Sequence, residues 1–234
     1  GLDLGDQDVD DASLTWLGAA GGLTEVALGG TKVGDATVRQ VLALPALRDL
    51  DLAETRITAP AAAALAHLAT LESVDLSATR IDDGAAAALL ALPALTMLRL
   101  DDTAVGDRAL AGVSPPALRE LYLARTKVTD DGLALLDRTP ALVALGLRRD
   151  DVGAATVARI ARLTALTTLD LGETMAMALA ELGEFDRAVA VQRDLLTAAR
   201  RAGLAPVAAR IEGNLARYER RQPCRVPWTE QEWP

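Results

Sequence analysis

The sequence predicts an α/β repeat protein in which short strand–turn–helix units stack side by side around one continuous core. Three observations predict this architecture. The pattern L-x-x-L-x-L-x-x-T-x-V/I recurs along most of the 234 residues. The spacing between its copies is nearly constant, which is typical of repeat proteins. Each copy is also too short to bury its own leucines, so that neighbouring copies must cover one another.

The copies of the pattern follow each other at regular intervals. They begin at Leu23, Leu47, Leu71, Leu95, Leu118, Leu142 and Leu166. Successive starts lie 24 residues apart, except for one interval of 23 residues between the fourth and fifth copies. The alternation Leu50-x-Leu52 predicts a short strand with one buried face. The apolar stretch from Asp82 to Leu92 predicts a helix, because acidic residues favour a helix N-terminus.

This pattern resembles the leucine-rich-repeat family, and in particular bacterial 24-residue repeats of the type LxxLDLxxTxVTDxGLxxLxxLxxL. The segment 126–133, which reads TKVTDDGL, carries that signature. The resemblance covers residues 1–174. It implies an α/β leucine-rich-repeat solenoid, with parallel strands on the concave face and helices on the convex face.

The resemblance also gives a role to the ninth position of the repeat. Many members of the family have an asparagine there, whose side chain bonds the backbone of adjacent turns. A threonine hydroxyl can donate and accept, so we expect a threonine ladder with a similar role. The column consists of Thr31, Thr55, Thr79, Thr103, Thr126 and Thr174, with Asp150 as the exception.

The N-terminus opens inside a repeat, because Leu2 and Leu4 occupy its fourth and sixth positions. Solenoids normally carry a cap at this end, so we expect that an N-terminal portion of the same protein is missing. The acidic stretch 6–11 resembles the start of an EF-hand loop. However, Asp11 stands where that loop needs glycine and Leu17 where it needs glutamate. We therefore predict an acidic turn rather than a calcium site.

The middle of the chain contains two minor features. The single histidine, His67, falls on a predicted helix, and we interpret it as a surface residue. Pro115 and Pro116 lie where the period shortens to 23 residues. Because proline ends helices, we expect a truncated convex segment in that repeat.

After Thr174 the strand pattern stops and helical periodicity begins. The segment 176–188 resembles a tetratricopeptide-type hairpin, from which the chain departs at Gln192 and Leu195. We expect residues 175–221 to form a helical cap, with helices near 175–182, 185–202 and 205–221. We expect residues 222–234, which are rich in proline and tryptophan, to form an extended tail. Trp228 and Trp233 either pack back on the cap, dock another protein or belong to a free end.

Composition excludes several functions. The net charge of −9 argues against a general nucleic-acid binder. The sequence contains no run of 18 apolar residues, which a membrane-spanning helix would need. One cysteine, Cys224, permits no internal disulfide and is compatible with a reducing compartment, so we expect a cytoplasmic protein. The sequence contains no phosphate loop, CxxC pair, nucleophile elbow or zinc-protease motif. We expect neither catalysis, nor a cofactor, nor a metal site.

The outward strand positions, the x of L-x-L, predict where binding occurs. Most of them are small or acidic, and we interpret the repeated aspartates as a solvated surface. Arg99 and Tyr122 break that rule, and arginine, tyrosine and methionine are enriched in interface cores. The candidate binding residues are Met97, Arg99, Asp101, Tyr122, Arg125, Arg148 and Arg149. The arginines favour an acidic or carboxylate-bearing partner; the alternative is solvated variation of a consensus surface.

These observations favour a non-catalytic protein–protein interaction module that binds a protein partner through the concave face. An alternative is a regulatory or substrate-recognition fragment of a larger bacterial enzyme or effector, in defence or signalling, or the product of a protease. A third alternative, an inhibitor of a toxin or effector, is based on fold analogy alone.

Overall fold

A computed structural model describes residues 1–148, 154–160, 162–170, 176, 180, 185–201 and 205–222. Within them the chain forms one parallel sheet of eight strands, ordered as they occur in the sequence. The strands are β1 (Leu2–Asp3), β2 (Glu25–Ala27), β3 (Asp49–Asp51), β4 (Ser73–Asp75), β5 (Met97–Arg99), β6 (Glu120–Tyr122), β7 (Ala144–Gly146) and β8 (Thr168–Asp170).

The register of the sheet follows the repeat. Leu50 of β3 pairs with Val74 of β4, one repeat later, and every other strand pair keeps the same correspondence. The middle residue of each strand points into the core, so its two neighbours face away from the helices. The α/β solenoid with parallel strands, which the resemblance to leucine-rich repeats implied, is confirmed. We call the sheet surface turned away from the helices the concave face.

Short helices return the chain from one strand to the next on the convex side. They are α1 (Asp35–Val41), α2 (Ala59–Ala64), α3 (Asp83–Leu90), α4 (Asp107–Leu110) and α5 (Ala154–Ile160), with 3-10 helices at Asp11–Leu14, Leu17–Ala19, Leu65–His67 and Gly132–Arg138. Asp82 caps α3 by accepting a hydrogen bond from the N–H of Ala85 at 3.1 Å. The four-residue α4 lies in the repeat that contains Pro115 and Pro116, as expected.

One apolar core runs between the sheet and the helices. Leu47, Leu50 and Leu52 are almost completely buried, and so are their counterparts in the next four repeats. On α3, Ala85 and Ala86 face the core. Their small side chains leave room for the helix to lie close to the leucines behind the sheet, so leucine and alanine supply a core that contains hardly any aromatic residues.

Four threonines of the column are buried, and their hydroxyls do not form the predicted ladder between repeats. Each of these four hydroxyls donates to the carbonyl oxygen three residues earlier in its own repeat, at 2.5–2.6 Å. The donors that share this geometry are Thr31, Thr55, Thr79 and Thr103. The threonine side chain is shorter than that of asparagine and closes a local turn instead. Thr174 and Asp150 lie outside the described residues.

Aspartates near the start of the convex segments make the bridges between repeats instead. Asp35 accepts hydrogen bonds from the N–H of Thr58 at 2.9 Å and from its hydroxyl at 2.7 Å. Asp107 holds Thr129 of the following repeat in the same way. Each carboxylate thus satisfies donors at the start of the next convex segment, which have no partner inside it.

In six of the described repeats, the residue before the ninth position adopts a left-handed backbone conformation. This column consists of Asp6, Gly30, Glu54, Ala78, Asp102 and Arg125, with φ between 54° and 70°. A residue with a Cβ pays for this conformation, and only Gly30 avoids that cost. The turn therefore recurs because the stacked backbone imposes it, not because its side chains prefer it.

Two longer helices follow the sheet: α6 (Phe185–Arg201) and α7 (Ala205–Glu219). They pack against each other, and α6 also contacts α5. Tyr218 is completely buried with Ala188 and Val191. These helices agree with two of the three expected ones, whereas the division into a solenoid (1–174), a tetratricopeptide-like cap (175–221) and a tail remains a prediction. Trp228 and Trp233 lie outside the described residues.

Candidate functional site

Two rows of side chains cover the concave face, one from the last residue of each strand and one from the first residue of each three-residue strand. Register aligns the first row as Asp3, Ala27, Asp51, Asp75, Arg99, Tyr122, Gly146 and Asp170. The second row contains Glu25, Asp49, Ser73, Met97, Glu120, Ala144 and Thr168. Neighbouring strands lie about 4.8 Å apart, so each row samples the face at that interval.

Arg99 and Tyr122 form a cation–π pair in the first row. The guanidinium carbon of Arg99 lies 4.3 Å from the centroid of the Tyr122 ring. The Tyr122 hydroxyl donates to a carboxylate oxygen of Glu120 at 3.1 Å. Burial, with the hydrogen bond to Glu120, raises the pKa of the Tyr122 phenol. The phenol is therefore neutral at physiological pH and offers a polar edge beside a fixed cation.

Gly146 makes room for this ring on the next strand. A Cβ added at Gly146 would lie 2.8 Å from Cδ1 of Tyr122, which is too close for a real contact. Glycine in a strand interior often marks such a close approach. The Tyr122 ring is thus confined between Gly146 on one side and Arg99 on the other.

The other predicted cations do not form a single cluster with Arg99. Arg148 pairs with Asp170 at 3.0 Å, and Arg125 pairs with Asp102 on the neighbouring turn. Both ion pairs join adjacent repeats at the edge of the concave face, so their charges are partly compensated within the chain. Arg149 lies outside the described residues.

Two further predicted residues flank the Arg99–Tyr122 pair. Met97 is half-buried in the second row and pairs in register with Ser73 and Glu120. Asp101 accepts a hydrogen bond from the N–H of Ala124 at 2.6 Å, and burial raises the pKa of its carboxyl. Met97 offers an adaptable apolar surface, whereas Asp101 is engaged in holding the next turn.

The first four strands form a depression of about 870 Å³ on the concave face. Acidic side chains line it: Asp3, Glu25, Asp49, Asp51 and Asp75, with Met97 and Arg99 at one end. Sequence reasoning interpreted the aspartates of the L-x-L column, among them Asp51 and Asp75, only as a solvated surface. Their accumulation in strand positions of consecutive repeats is a signal that a residue-by-residue comparison with the consensus misses.

The environment of the depression acts on its carboxyl groups. Burial raises the pKa of Asp51, and the neighbouring Asp75 and Asp3 add to this effect. The pKa of Asp49 is raised by burial and by the charges of Glu25 and Glu72. These groups therefore repel one another, and an approaching cation would relieve that repulsion.

The arrangement is suited to binding. Within the described ranges, no group of three or more His, Cys, Asp or Glu side chains is placed to hold a metal ion. His67 is exposed on the convex side. None of the described helices is both long enough and apolar enough to cross a membrane. The concave face combines acidic side chains with one cation–aromatic pair, a surface that can hold another molecule by charge and contact area.

Comparisons with known proteins identify the fold. No family model and no curated protein matches the chain. An internalin (inlF) from Listeria monocytogenes is 21% identical with a TM-score of 0.52, over 70% of this chain and 51% of that one. Internalin C2 from the same organism is 20% identical with a TM-score of 0.54, over 71% and 68%.

A leucine-rich-repeat protein from Leptospira interrogans is 21% identical with a TM-score of 0.51, over 67% of this chain and 39% of that one. The alignments thus span only about half of the first internalin and less of the Leptospira protein. Together with the eight parallel strands, these likenesses show that the chain has the leucine-rich-repeat fold.

Proposed function

We propose that this leucine-rich-repeat chain is a non-catalytic interaction module that binds a protein partner through its concave face. The cation–π pair of Arg99 and Tyr122 supports the proposal most directly. Arginine and tyrosine carry much of the binding energy in protein interfaces, and they do so near the centre of the contact. Strands β5 and β6, which hold the pair, lie inside the sheet, with other strands on both sides.

The scaffold holds the pair in position before a partner arrives. Glu120 accepts the hydrogen bond of the Tyr122 hydroxyl, and the absent side chain of Gly146 leaves the ring its place. A side chain that is already ordered loses less entropy on binding. Met97 adds apolar area beside the pair, and Arg99, which has no ion pair within the described part of the chain, is available to an acidic group of the partner.

The proposed binding face would be the same in both alternatives: a module that acts alone, or a part that recognises substrates for a larger bacterial enzyme or effector. The edge residues Arg125 and Arg148 then widen the contact through polar interactions at its rim. Their ion pairs with Asp102 and Asp170 make them secondary to Arg99 and Tyr122. Docking of the tail through Trp228 and Trp233 is a separate hypothesis.

An affinity pull-down from the native organism tests the proposal. Wild-type chain, the double variant R99A/Y122A and the control R108A serve as baits, and bound proteins are quantified by mass spectrometry. Arg108 is an exposed cation on α4, on the opposite side of the molecule. We expect one stoichiometric protein on the wild-type and R108A baits and its loss from the double variant. Equal recovery on all three baits would exclude the concave pair as the binding site.

A further inference from the structure

We propose that the acidic half of the concave face docks a cationic polypeptide segment, which lies across strands β1 to β4 and ends beside Arg99. This inference rests on the proposed function and names the chemistry of the partner. It differs from the expectation raised by the arginines alone, which favoured an acidic partner. The reason is the distribution of uncompensated charge along the sheet.

The carboxylates of the depression form no ion pairs of their own within the described residues. No ion pair within the described ranges involves Asp3, Glu25, Asp49, Asp51 or Asp75. Elsewhere on the sheet the chain does provide such partners, as Arg48 does for Glu72 and Arg148 for Asp170. The absence of pairing is therefore local to the depression.

The carboxylates also lie close enough to act together. Asp51 and Asp75 are register partners on adjacent strands, and Asp49 stands two residues before Asp51 on the same strand. Neighbouring strands are about 4.8 Å apart, so the four strands present acidic groups along roughly 15 Å of the face. A segment with several lysine or arginine side chains can contact them at once, which a single cation cannot.

Arg99 defines the end of this surface. It lies next to Asp75 in register and turns its guanidinium onto Tyr122, so the sign of the charge changes between β4 and β5. A cationic side chain that continued past β4 would meet a like charge. The complementary segment is therefore basic over the depression and carries an acidic or aromatic group where it reaches Arg99 and Tyr122. Such a pattern also fixes the direction in which the segment lies.

Fluorescence anisotropy with a labelled peptide tests this inference. The probe is a ten-residue peptide that alternates lysine and serine, and a peptide that alternates glutamate and serine is the comparison. The chain is used as wild type, as D49N/D51N, and as the control D8N/D131N. Asp8 and Asp131 are exposed and lie outside the depression, so the control removes the same formal charge from the acidic molecule.

We expect the lysine peptide to bind the wild type and D8N/D131N alike, and D49N/D51N about tenfold more weakly. We expect the affinity to fall with salt, because the contact is between exposed charges. If both double variants bound the lysine peptide equally weakly, net charge alone would explain the attraction and the inference would be overturned. Preference for the glutamate peptide would also overturn it.

The result is separable from the fate of the proposed function. If the pulled-down partner is lost from R99A/Y122A but binds D49N/D51N as tightly as wild type, the concave pair is the site and the cationic segment is excluded. If neither double variant affects the partner, both proposals fail. Loss of the partner from both variants supports both.

Discussion

Arg99 and Tyr122 face each other across the one strand junction where the repeat period shortens to 23 residues, and they are nevertheless exact register partners. The missing residue is absorbed on the convex side, where α4 has only four residues. The concave face therefore remains continuous through the irregular repeat. This continuity allows the guanidinium of Arg99 to lie 4.3 Å from the centre of the Tyr122 ring.

Replacing Gly146 by alanine should displace the Tyr122 ring. The new Cβ would lie 2.8 Å from Cδ1 of Tyr122, and the backbone of β7 cannot move without disturbing the sheet. We expect a loss of about 1–3 kcal/mol in the free energy of unfolding, measured by urea denaturation, and weaker binding of the partner. As a control, Gly213→Ala lies in α7 with nothing within 4 Å of the new Cβ, and alanine should stabilise that helix by about 0.5–1 kcal/mol. Unchanged stability and binding in Gly146→Ala would refute the confinement of the ring.

Replacing Thr55 by valine should test the local role of the threonine column. Valine has nearly the same shape but leaves the buried carbonyl of Leu52 without the hydroxyl that donates to it at 2.6 Å. We expect a loss of about 1–2 kcal/mol in the free energy of unfolding. Thr15 is exposed and its hydroxyl has no described hydrogen bond, so Thr15→Val should change stability little. A neutral effect of Thr55→Val would show that this hydrogen bond does not hold the turn.

Replacing Ala78 by glycine should stabilise the chain, although glycine usually weakens folded proteins. Ala78 is exposed and has a φ of 54°, a conformation that glycine adopts without the clash of a Cβ. We expect a gain of about 0.5–1 kcal/mol in thermal or urea unfolding. Ala104 is also exposed but has no positive φ, so Ala104→Gly should give no gain. A loss of stability in Ala78→Gly would contradict the role assigned to this column.

The stability of the Asp51→Asn variant should depend on pH. Because burial raises the pKa of Asp51 in the folded chain, its negative charge destabilises the fold above that pKa. We expect Asp51→Asn to be more stable than wild type at pH 7. The difference should shrink as the pH falls through the raised pKa and disappear below about 3.9, where the carboxyl is protonated in both states.

The Asp11→Asn variant should change stability in the opposite direction in the same experiment. Burial alone would raise the pKa of its carboxyl, but hydrogen bonds from Thr37 and Gly34 and the charge of Arg39 together lower it. Its stabilising contribution is therefore present above about pH 3.9 and is lost as the pH falls through the lowered pKa. We expect Asp11→Asn to be less stable than wild type at pH 7 and to approach it in acid. Identical pH profiles for the two variants would contradict both assignments.

Much of the fold was predictable because the repeat reports the core directly. Leu50 and Val74 occupy the same position of consecutive repeats and are register partners in the sheet, so counting residues aligned the strands correctly. The direction of the Thr55 hydroxyl was not predictable, since asparagine and threonine at the same position reach different carbonyls. The left-handed conformation of Glu54 and Ala78 was not predictable from their residue types, because the stacked turns impose it.

The candidate site was only partly predictable for a related reason. Arg99 and Tyr122 stood out because they depart from a consensus, whereas Asp51 and Asp75 conform to a common acidic pattern. Their interest comes from the lack of ion pairs in the described part of the chain, which depends on the side-chain geometry of several repeats. Conversely, the pairing of Arg148 with Asp170 removed part of a positive cluster that the sequence suggested.

The central claim is tested most directly by the dissociation constant of the partner that the pull-down recovers. Calorimetry measures it for wild type, Arg99→Ala, Tyr122→Ala and the control Arg108→Ala. Hot-spot residues of this kind cost about 2 kcal/mol or more on truncation. We predict that each concave variant binds at least about tenfold more weakly while Arg108→Ala binds as wild type does. Unchanged affinity in both concave variants, with their folds intact by circular dichroism, would contradict binding through the concave face.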